Sequence, residues 1–111
     1  MGLKKLLFVC SSAVDRSQAA TDLFIRPKKY VAKAAGTHPD ATMRVNQKLL
    51  DWADLIFVMS EGTNRHLTYL KNNFDVRGKK IYDLHVRDMY SRNDPRLIKL
   101  LKKRISKIIS L

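Results

Sequence analysis

The stretch Leu6–Ala20, LLFVCSSAVDRSQAA, decides the fold because an apolar run passes into a short polar segment and then into a helical pattern. From Lys5 to Cys10 the chain is almost continuously apolar, which is typical of a strand buried on both faces of a sheet. Residues 17–25 have the spacing of a helix, and Pro27 is expected to end it. The stretch therefore predicts a strand, a loop from Cys10 to Arg16 and a helix.

The same alternation of apolar runs and helical patterns continues along the rest of the chain. Strands are predicted at residues 30–35, 55–59 and 81–84, and helices at residues 45–53, 63–74 and 94–109. Asp94 and Pro95 mark the start of the last helix, as an N-cap followed by proline at the first helical position. This order predicts an α/β domain in which a parallel sheet carries helices on both faces. In such sheets ligands bind at the carboxyl ends of the strands, which is where the loop after Cys10 begins.

The composition limits the class of protein. A chain of 111 residues, 45% of them apolar, fits one globular domain spanning residues 1–111. The single cysteine, Cys10, excludes an internal disulfide and any metal site built from several cysteines. The apolar run that starts at Leu6 is too short for a signal peptide or a membrane span, so we expect a cytoplasmic protein.

The charge of the chain is strongly basic, with 22 Lys and Arg against 10 Asp and Glu and a formal net charge of +12. A surface of this kind attracts anions such as phosphorylated substrates, nucleic acid or an anionic membrane. One side of the predicted last helix is especially basic, and its cations are Arg96, Lys99, Lys102, Lys103, Arg104 and Lys107. The alternative is that the charge only keeps the protein in solution.

The loop from Cys10 to Arg16 combines the features of an anion-binding site. The first amides of the following helix point back into the loop and carry partial positive charge, and loop amides can form a concave nest. Arg16 adds a planar fork that matches two oxygens of a phosphate. These surroundings favour a thiolate at Cys10, to whose sulfur Ser17 can donate a hydrogen bond. The loop predicts a cysteine nucleophile beneath a bound phosphate, and the alternative is a small buried hydrophobic residue.

A phosphate ester needs an acid to protonate its leaving group, and Asp88 is the candidate. Asp88 and Tyr90 follow the last predicted strand, so they belong to the same sheet edge as Cys10. Asp83 and Asp94 are nearby alternatives, although Asp94 is better explained as a helix cap. Surface or loop positions are expected for the histidines, which lack metal-ligand spacing; they are His38, His66 and His85.

The segment LLFVCSSAVDRSQAA resembles the phosphate-binding loop of low-molecular-weight protein tyrosine phosphatases. The later segments AAGTHPDA, WADLIFVMS and DMYSRNDPRLIKLL follow in order and are similar to those of a short branch of that family. The resemblance covers nearly the whole chain. It implies a three-layer fold with four parallel strands in the order 2-1-3-4 and helices on both faces, and it implies neither a metal nor a cofactor.

The resemblance also implies roles for individual residues and a class of substrate. Cys10 would be the nucleophile, Arg16 the phosphate clamp and Asp88 the general acid. Ser17 would support the thiolate, and Tyr90 would stand in an aromatic wall. The remaining substrate-binding positions are those of the loop: Ser11, Ser12, Ala13, Val14 and Asp15. The implied substrates are phosphorylated proteins, above all those carrying phosphotyrosine, or small phosphomonoesters, with inorganic phosphate as an inhibiting product.

Departures from the family pattern leave other functions open. Ser12 and Ala13 stand where the family has Gly and Asn, and Asp15 places an acid beside the phosphate site. Met89 replaces the proline of the acid loop. One alternative is therefore a binding module for phosphorylated ligands or nucleic acid on the same fold. Arsenate reduction is another, but Cys10 alone cannot form an internal relay between cysteines.

Overall fold

Residues 3–25 and 29–110 are described by a computed structural model of the chain. Its centre is a parallel sheet of four strands, β1 (Lys4–Cys10), β2 (Tyr30–Gly36), β3 (Leu55–Val58) and β4 (Lys80–Asp83). The strands lie in the order β2-β1-β3-β4, which confirms the predicted fold class and strand order.

Helices cover both faces of the sheet. In the described parts of the chain they are α1 (Arg16–Asp22), α2 (Gln47–Trp52), α3 (Glu61–Asn64), α4 (His66–Asn73) and α5 (Pro95–Ile105). Alternate residues of β1 enter opposite cores, because Phe8 belongs to the core that includes α1 and α5 whereas Val9 belongs to the one that includes α2 and α4. The central strand β1 therefore ends at Cys10 between β2 and β3, where the strand order reverses.

The helix predicted at residues 63–74 is divided in two. Arg65 separates α3 from α4, and its φ of 54° lies in the left-handed region, which a continuous helix does not allow. Ser60 caps the first piece by accepting a hydrogen bond from the Thr63 amide at 3.1 Å. The break reorients the chain directly after β3, at the sheet edge that holds Cys10.

The ends of the other helices also differ from the prediction. Helix α5 starts after the Asp94 cap as expected but ends at Ile105. Helix α1 ends at Asp22, and Pro27, which was expected to stop it, lies outside the described residues. No helix in residues 3–25 or 29–110 has both the length and the apolar character needed to cross a membrane.

The segment after β2 packs closely against the loop after β1. The Thr42 amide donates to the Ser12 carbonyl oxygen at 3.1 Å. A Cβ on Gly36 would lie 3.0 Å from the amide nitrogen of Ala13 and closer still to the carbonyl oxygen of Ser11. Only glycine fits this approach of two backbones, so β2 helps to fix the course of the loop.

Candidate active site

Cys10 is the last residue of β1, and its side chain is buried, with 3% of its surface exposed. The sulfur lies at the base of the loop that joins β1 to α1. The Ala13 amide donates to Sγ at 3.2 Å, and the Ser17 hydroxyl lies 3.0 Å from the same atom. Both groups can donate to a negatively charged sulfur, which is the arrangement that a thiolate requires.

The loop from Ser11 to Asp15 turns through one left-handed residue and has backbone amides that are available to an anion. Ala13 is buried and has a φ of 60°, in the left-handed region, at the turn whose amide points to the sulfur. The side chains of Ser12 and Val14 are exposed. Among the described residues, the amides of Ser12, Val14 and Asp15 donate no hydrogen bond to another protein group. Free amides in such a turn are suited to the oxygens of an anion.

Arg16, the first residue of α1, has a buried side chain with 2% of its surface exposed. Its Nη1 donates to Asn64 Oδ1 at 2.9 Å and to the Val86 carbonyl oxygen at 2.8 Å. Its Nη2 lies 3.5 Å from Ser11 Oγ. Because both protons of Nη1 are used, the edge formed by Nε and Nη2 is the one that can bind two oxygens of a phosphate.

The expectation of a surface or loop position is wrong for His66, which is fully buried at the start of α4. Its Nδ1 accepts from the Ser60 amide at 3.1 Å, so the ring proton lies on Nε2, which donates to Ser11 Oγ at 3.0 Å. Burial, and after it the charge of Arg16, lower the pKa of His66 to about 4. The neutral imidazole therefore holds the first residue of the loop at neutral pH.

His66 and Asn64 are the parts of the site that sequence reasoning missed. The available signal was their position after β3, whose carboxyl end lies beside that of β1. The left-handed residue between them, Arg65, lets one side chain reach Arg16 and the other reach the loop. The remaining histidines have exposed side chains, as expected; they are His38 and His85.

Asp88 follows β4 and lies beside Arg16. Its Oδ1 is 3.9 Å from Arg16 Nε, and 61% of its side chain is exposed. Burial lowers the pKa of Arg16, while the charges of Cys10 and Asp88 oppose this effect. Tyr90 is half-buried against the core that contains Cys10, and the Arg96 guanidinium lies 5.4 Å from its ring centroid. The structure thus brings Asp88 to the Arg16 side of the loop.

Other carboxylates near the loop have structural partners. Asp94 caps α5 as predicted, and Asp83 accepts from the Glu61 amide at 3.2 Å. Asp15 accepts from the Arg92 amide at 3.0 Å, so its carboxylate is engaged by the segment after β4. Within residues 3–25 and 29–110, no group of three or more His, Cys, Asp or Glu side chains is arranged to hold a metal ion.

Solved structures of tyrosine phosphatases have the same arrangement of strands and helices over nearly the whole chain. The tyrosine phosphatase Wzb from Escherichia coli K30, solved in complex with phosphate, has a TM-score of 0.70 at 17% identity, covering 96% of each chain. The low-molecular-weight protein tyrosine phosphatase SP-PTP from Streptococcus pyogenes has a TM-score of 0.70 at 16% identity, covering 97% of this chain and 95% of the other. This chain has the low-molecular-weight tyrosine phosphatase fold.

The low-molecular-weight tyrosine phosphatase fold also occurs with another chemistry. A thioredoxin-dependent arsenate reductase from Corynebacterium glutamicum has a TM-score of 0.64 at 16% identity, covering 95% of this chain and 59% of the other. No protein-family model and no curated protein matches the sequence. These similarities establish the fold of the chain.

Proposed function

We propose that this chain is a phosphatase that hydrolyses phosphomonoesters through a phosphocysteine intermediate on Cys10. The observation that carries the proposal is the convergence on the sulfur: the Ala13 amide and the Ser17 hydroxyl lie within 3.2 Å of it. A cysteine that only fills space in a core needs neither donor. The free loop amides and the open edge of Arg16 beside this sulfur are suited to a tetrahedral dianion.

In the first step, the Cys10 thiolate attacks phosphorus while the loop amides and the Nε and Nη2 of Arg16 bind the nonbridging oxygens. The sulfur–phosphorus bond forms as the bond from phosphorus to the leaving oxygen breaks. Asp88 donates a proton to that oxygen, so the leaving group departs as a neutral alcohol or phenol.

In the second step, water attacks the phosphorus of the phosphocysteine. Asp88, now a carboxylate, accepts a proton from this water. The sulfur–phosphorus bond breaks and returns the thiolate, to which Ala13 and Ser17 donate. Inorganic phosphate is released, and we expect it to inhibit because the same nest binds it.

Protein phosphotyrosine is the proposed substrate within this class. Tyr90, two residues after Asp88, and Val14, which is 50% exposed on the loop, offer apolar surface for an aromatic leaving group. The net charge of +12 favours the approach of phosphorylated substrates. The structural neighbour Wzb is described as a tyrosine phosphatase, which supports phosphotyrosine as the proposed substrate.

Hydrolysis of p-nitrophenyl phosphate by the purified protein tests the proposal. We expect turnover by the wild type and none by Cys10→Ser, because serine is a far weaker nucleophile at this position. Asp88→Ala should slow phenyl phosphate by about 10²-fold and p-nitrophenyl phosphate by much less, because a good leaving group needs little protonation. Asp75→Ala, which removes a carboxylate from an exposed pair with Arg77, is the matched control and should change neither rate.

A binding module for phosphorylated ligands or nucleic acid is the second candidate. It is favoured by the exposed cations on α5, which are Lys99, Lys102 and Lys103. A wild-type protein that binds phosphate without hydrolysing either ester would support this candidate and contradict the phosphatase. RNA binding that persists at moderate salt, again without hydrolysis, would favour a nucleic-acid partner.

A further inference from the structure

Arg92 connects the segment after β4 to both ends of α1. Its backbone amide donates to Asp15 Oδ1 at 3.0 Å, and its Nε and Nη2 donate to the two carboxylate oxygens of Asp22 at 2.8 and 2.7 Å. Asp15 immediately precedes α1 and Asp22 is its last residue. A separation of seven residues places both carboxylates on one side of the helix. We call this set of three residues the Arg92 clamp: Asp15, Asp22 and Arg92.

The Arg92 clamp ties the segment that carries Asp88 to α1 close to Asp94, in addition to the packing of Tyr90 against the core. This segment is anchored before Asp88 at Val86, whose carbonyl oxygen accepts from Arg16, and after it at Asp94, which caps α5. Between the two anchors, most side chains are exposed. Among the described residues, the hydrogen bonds that join residues 87–93 to another element come from Arg92.

We propose that Asp15 and Asp22 are positioning residues, which act through Arg92 to hold Asp88 at the Arg16 side of the phosphate-binding loop. This inference rests on the proposed phosphatase function, in which Asp88 is the proton donor. A donor must stay within hydrogen-bond reach of the leaving oxygen, and a small misplacement lowers the rate strongly. Asp88 does not fix its own position, since it is 61% exposed and 3.9 Å from Arg16.

The Arg92 clamp gives a structural role to the acid in the loop after Cys10. Asp15 directly precedes Arg16, where a free carboxylate would repel a phosphate. Its Oδ1 accepts from the Arg92 amide, so this acid has a partner in the segment that carries Asp88 although it keeps its charge. The Arg92–Asp22 pair is bidentate and part-exposed, with 47% and 37% of the side chains accessible. Such a pair contributes more to geometry than to stability, so its loss should loosen residues 87–93 without unfolding the domain.

Asp15→Ala and Asp22→Ala test the inference by two measurements, ester hydrolysis and hydrogen–deuterium exchange of residues 87–93. We expect kcat for phenyl phosphate to fall about tenfold or more and kcat for p-nitrophenyl phosphate to fall less than about threefold, because the first ester depends on the acid. Amide exchange in residues 87–93 should accelerate in both variants. Asp15→Asn keeps an acceptor for the Arg92 amide and should restore both measurements.

Asp75→Ala is again the matched control, because it removes the carboxylate of another exposed pair with arginine, and it should change neither measurement. Equal losses on the two esters, or unchanged exchange in both clamp variants, would overturn the positioning role. If the wild type hydrolyses both esters and the variants keep its ratio of the two rates, only the positioning role proposed for the Arg92 clamp is wrong. If the wild type hydrolyses neither ester, the proposed function fails, and the catalytic role of the clamp fails with it.

Discussion

At the scale of single residues, Ala13 carries the strain of the loop. Its φ of 60° is costly for a residue with a Cβ, yet its amide has to point at the Cys10 sulfur. Surrounding contacts hold this conformation, including the hydrogen bond from Thr42 to Ser12 and the close approach of Gly36. The loop therefore keeps its shape without the asparagine that the resembling family has at this position.

Ala13→Gly should raise the free energy of unfolding by about 0.5–1 kcal/mol, because glycine adopts a left-handed φ without steric cost and this gain exceeds its entropic penalty. Urea denaturation measures the change. Ala41→Gly, in the neighbouring segment and not at a left-handed residue, is the control and should destabilise the protein. Destabilisation of equal size by both variants would show that Ala13 is not strained.

The buried His66 predicts a dependence of stability on pH. Its pKa is about 4 in the folded protein against an ordinary value of 6.5, so the unfolded chain takes up this proton first on acidification. Stability should therefore fall as the pH drops from about 6.5 towards 4, by about 3 kcal/mol in total. The nearby charges of Asp83, Glu61 and Asp88 oppose the shift but remain smaller than the effect of burial and of Arg16.

Urea titrations at pH 7, 6 and 5 measure this dependence, because ordinary carboxylates titrate below about pH 4.5. His66→Gln should be less stable at pH 7 and should show a flatter dependence over this range. His85→Gln, at an exposed histidine, is the control and should keep the wild-type slope. A wild-type slope in His66→Gln would mean that another group causes the dependence.

Single residues also show how far the site can be predicted from sequence. Cys10 and Arg16 are close in the chain, so their spacing, with Ser17 beside them, predicts an anion-binding site. Asn64 and His66 are 48 and 55 residues from the groups that they contact. Their own neighbours in sequence carry no sign of these contacts, which depend on how the chain turns after β3.

At the scale of elements, the β2 end and the loop after β1 form one packed unit because a glycine lies between them. Gly36→Ala should destabilise the domain by about 1–3 kcal/mol and weaken phosphate binding, since the new Cβ would displace Ser11 or Ala41. Urea denaturation measures the change in stability, and titration with phosphate measures the change in affinity. Gly62→Ala in α3 is the matched control, because a Cβ there meets nothing within 4 Å, and it should stabilise the helix.

Elements were predicted well where packing agrees with local pattern. Strand β3 is a continuous apolar run, β1 is one from Leu6 onward, and α5 has a capping residue and proline at its start, so the sequence predicts each of them. The break at Arg65 was not predicted, because a non-glycine residue in the left-handed region leaves no pattern in the sequence. The spacing of residues 63–74 favours one continuous helix, but the hydrogen bonds of Asn64 and His66 stabilise the broken form.

At the scale of the whole molecule, the net charge of +12 opposes compaction through repulsion among the cations. Raising KCl from about 20 to 300 mM should therefore raise Tm by about 4 °C, which corresponds to about 1 kcal/mol for a domain of this size. Thermal melts at several salt concentrations measure the effect. A melting temperature independent of salt would contradict it.

The exposed face of α5 offers a matched pair of variants for this measurement. Replacing Lys99 and Lys103 by Glu lowers the net charge and should reduce the salt dependence. Replacing both by Arg keeps the charge and should leave the dependence unchanged. Equal salt dependence in the two variants would mean that the effect does not come from net charge.

The buried guanidinium of Arg16 has a consequence for how the protein is made. Its anchors, Asn64 and the Val86 carbonyl, come from segments that leave the ribosome long after Cys10. Until those segments have been synthesised and folded, the guanidinium beside the Cys10 loop lacks the hydrogen bonds that fix its position. Cys10 is therefore translated well before the groups that hold Arg16, and under the proposed function we expect a nascent chain to gain activity only after the chain through Val86 has emerged and folded.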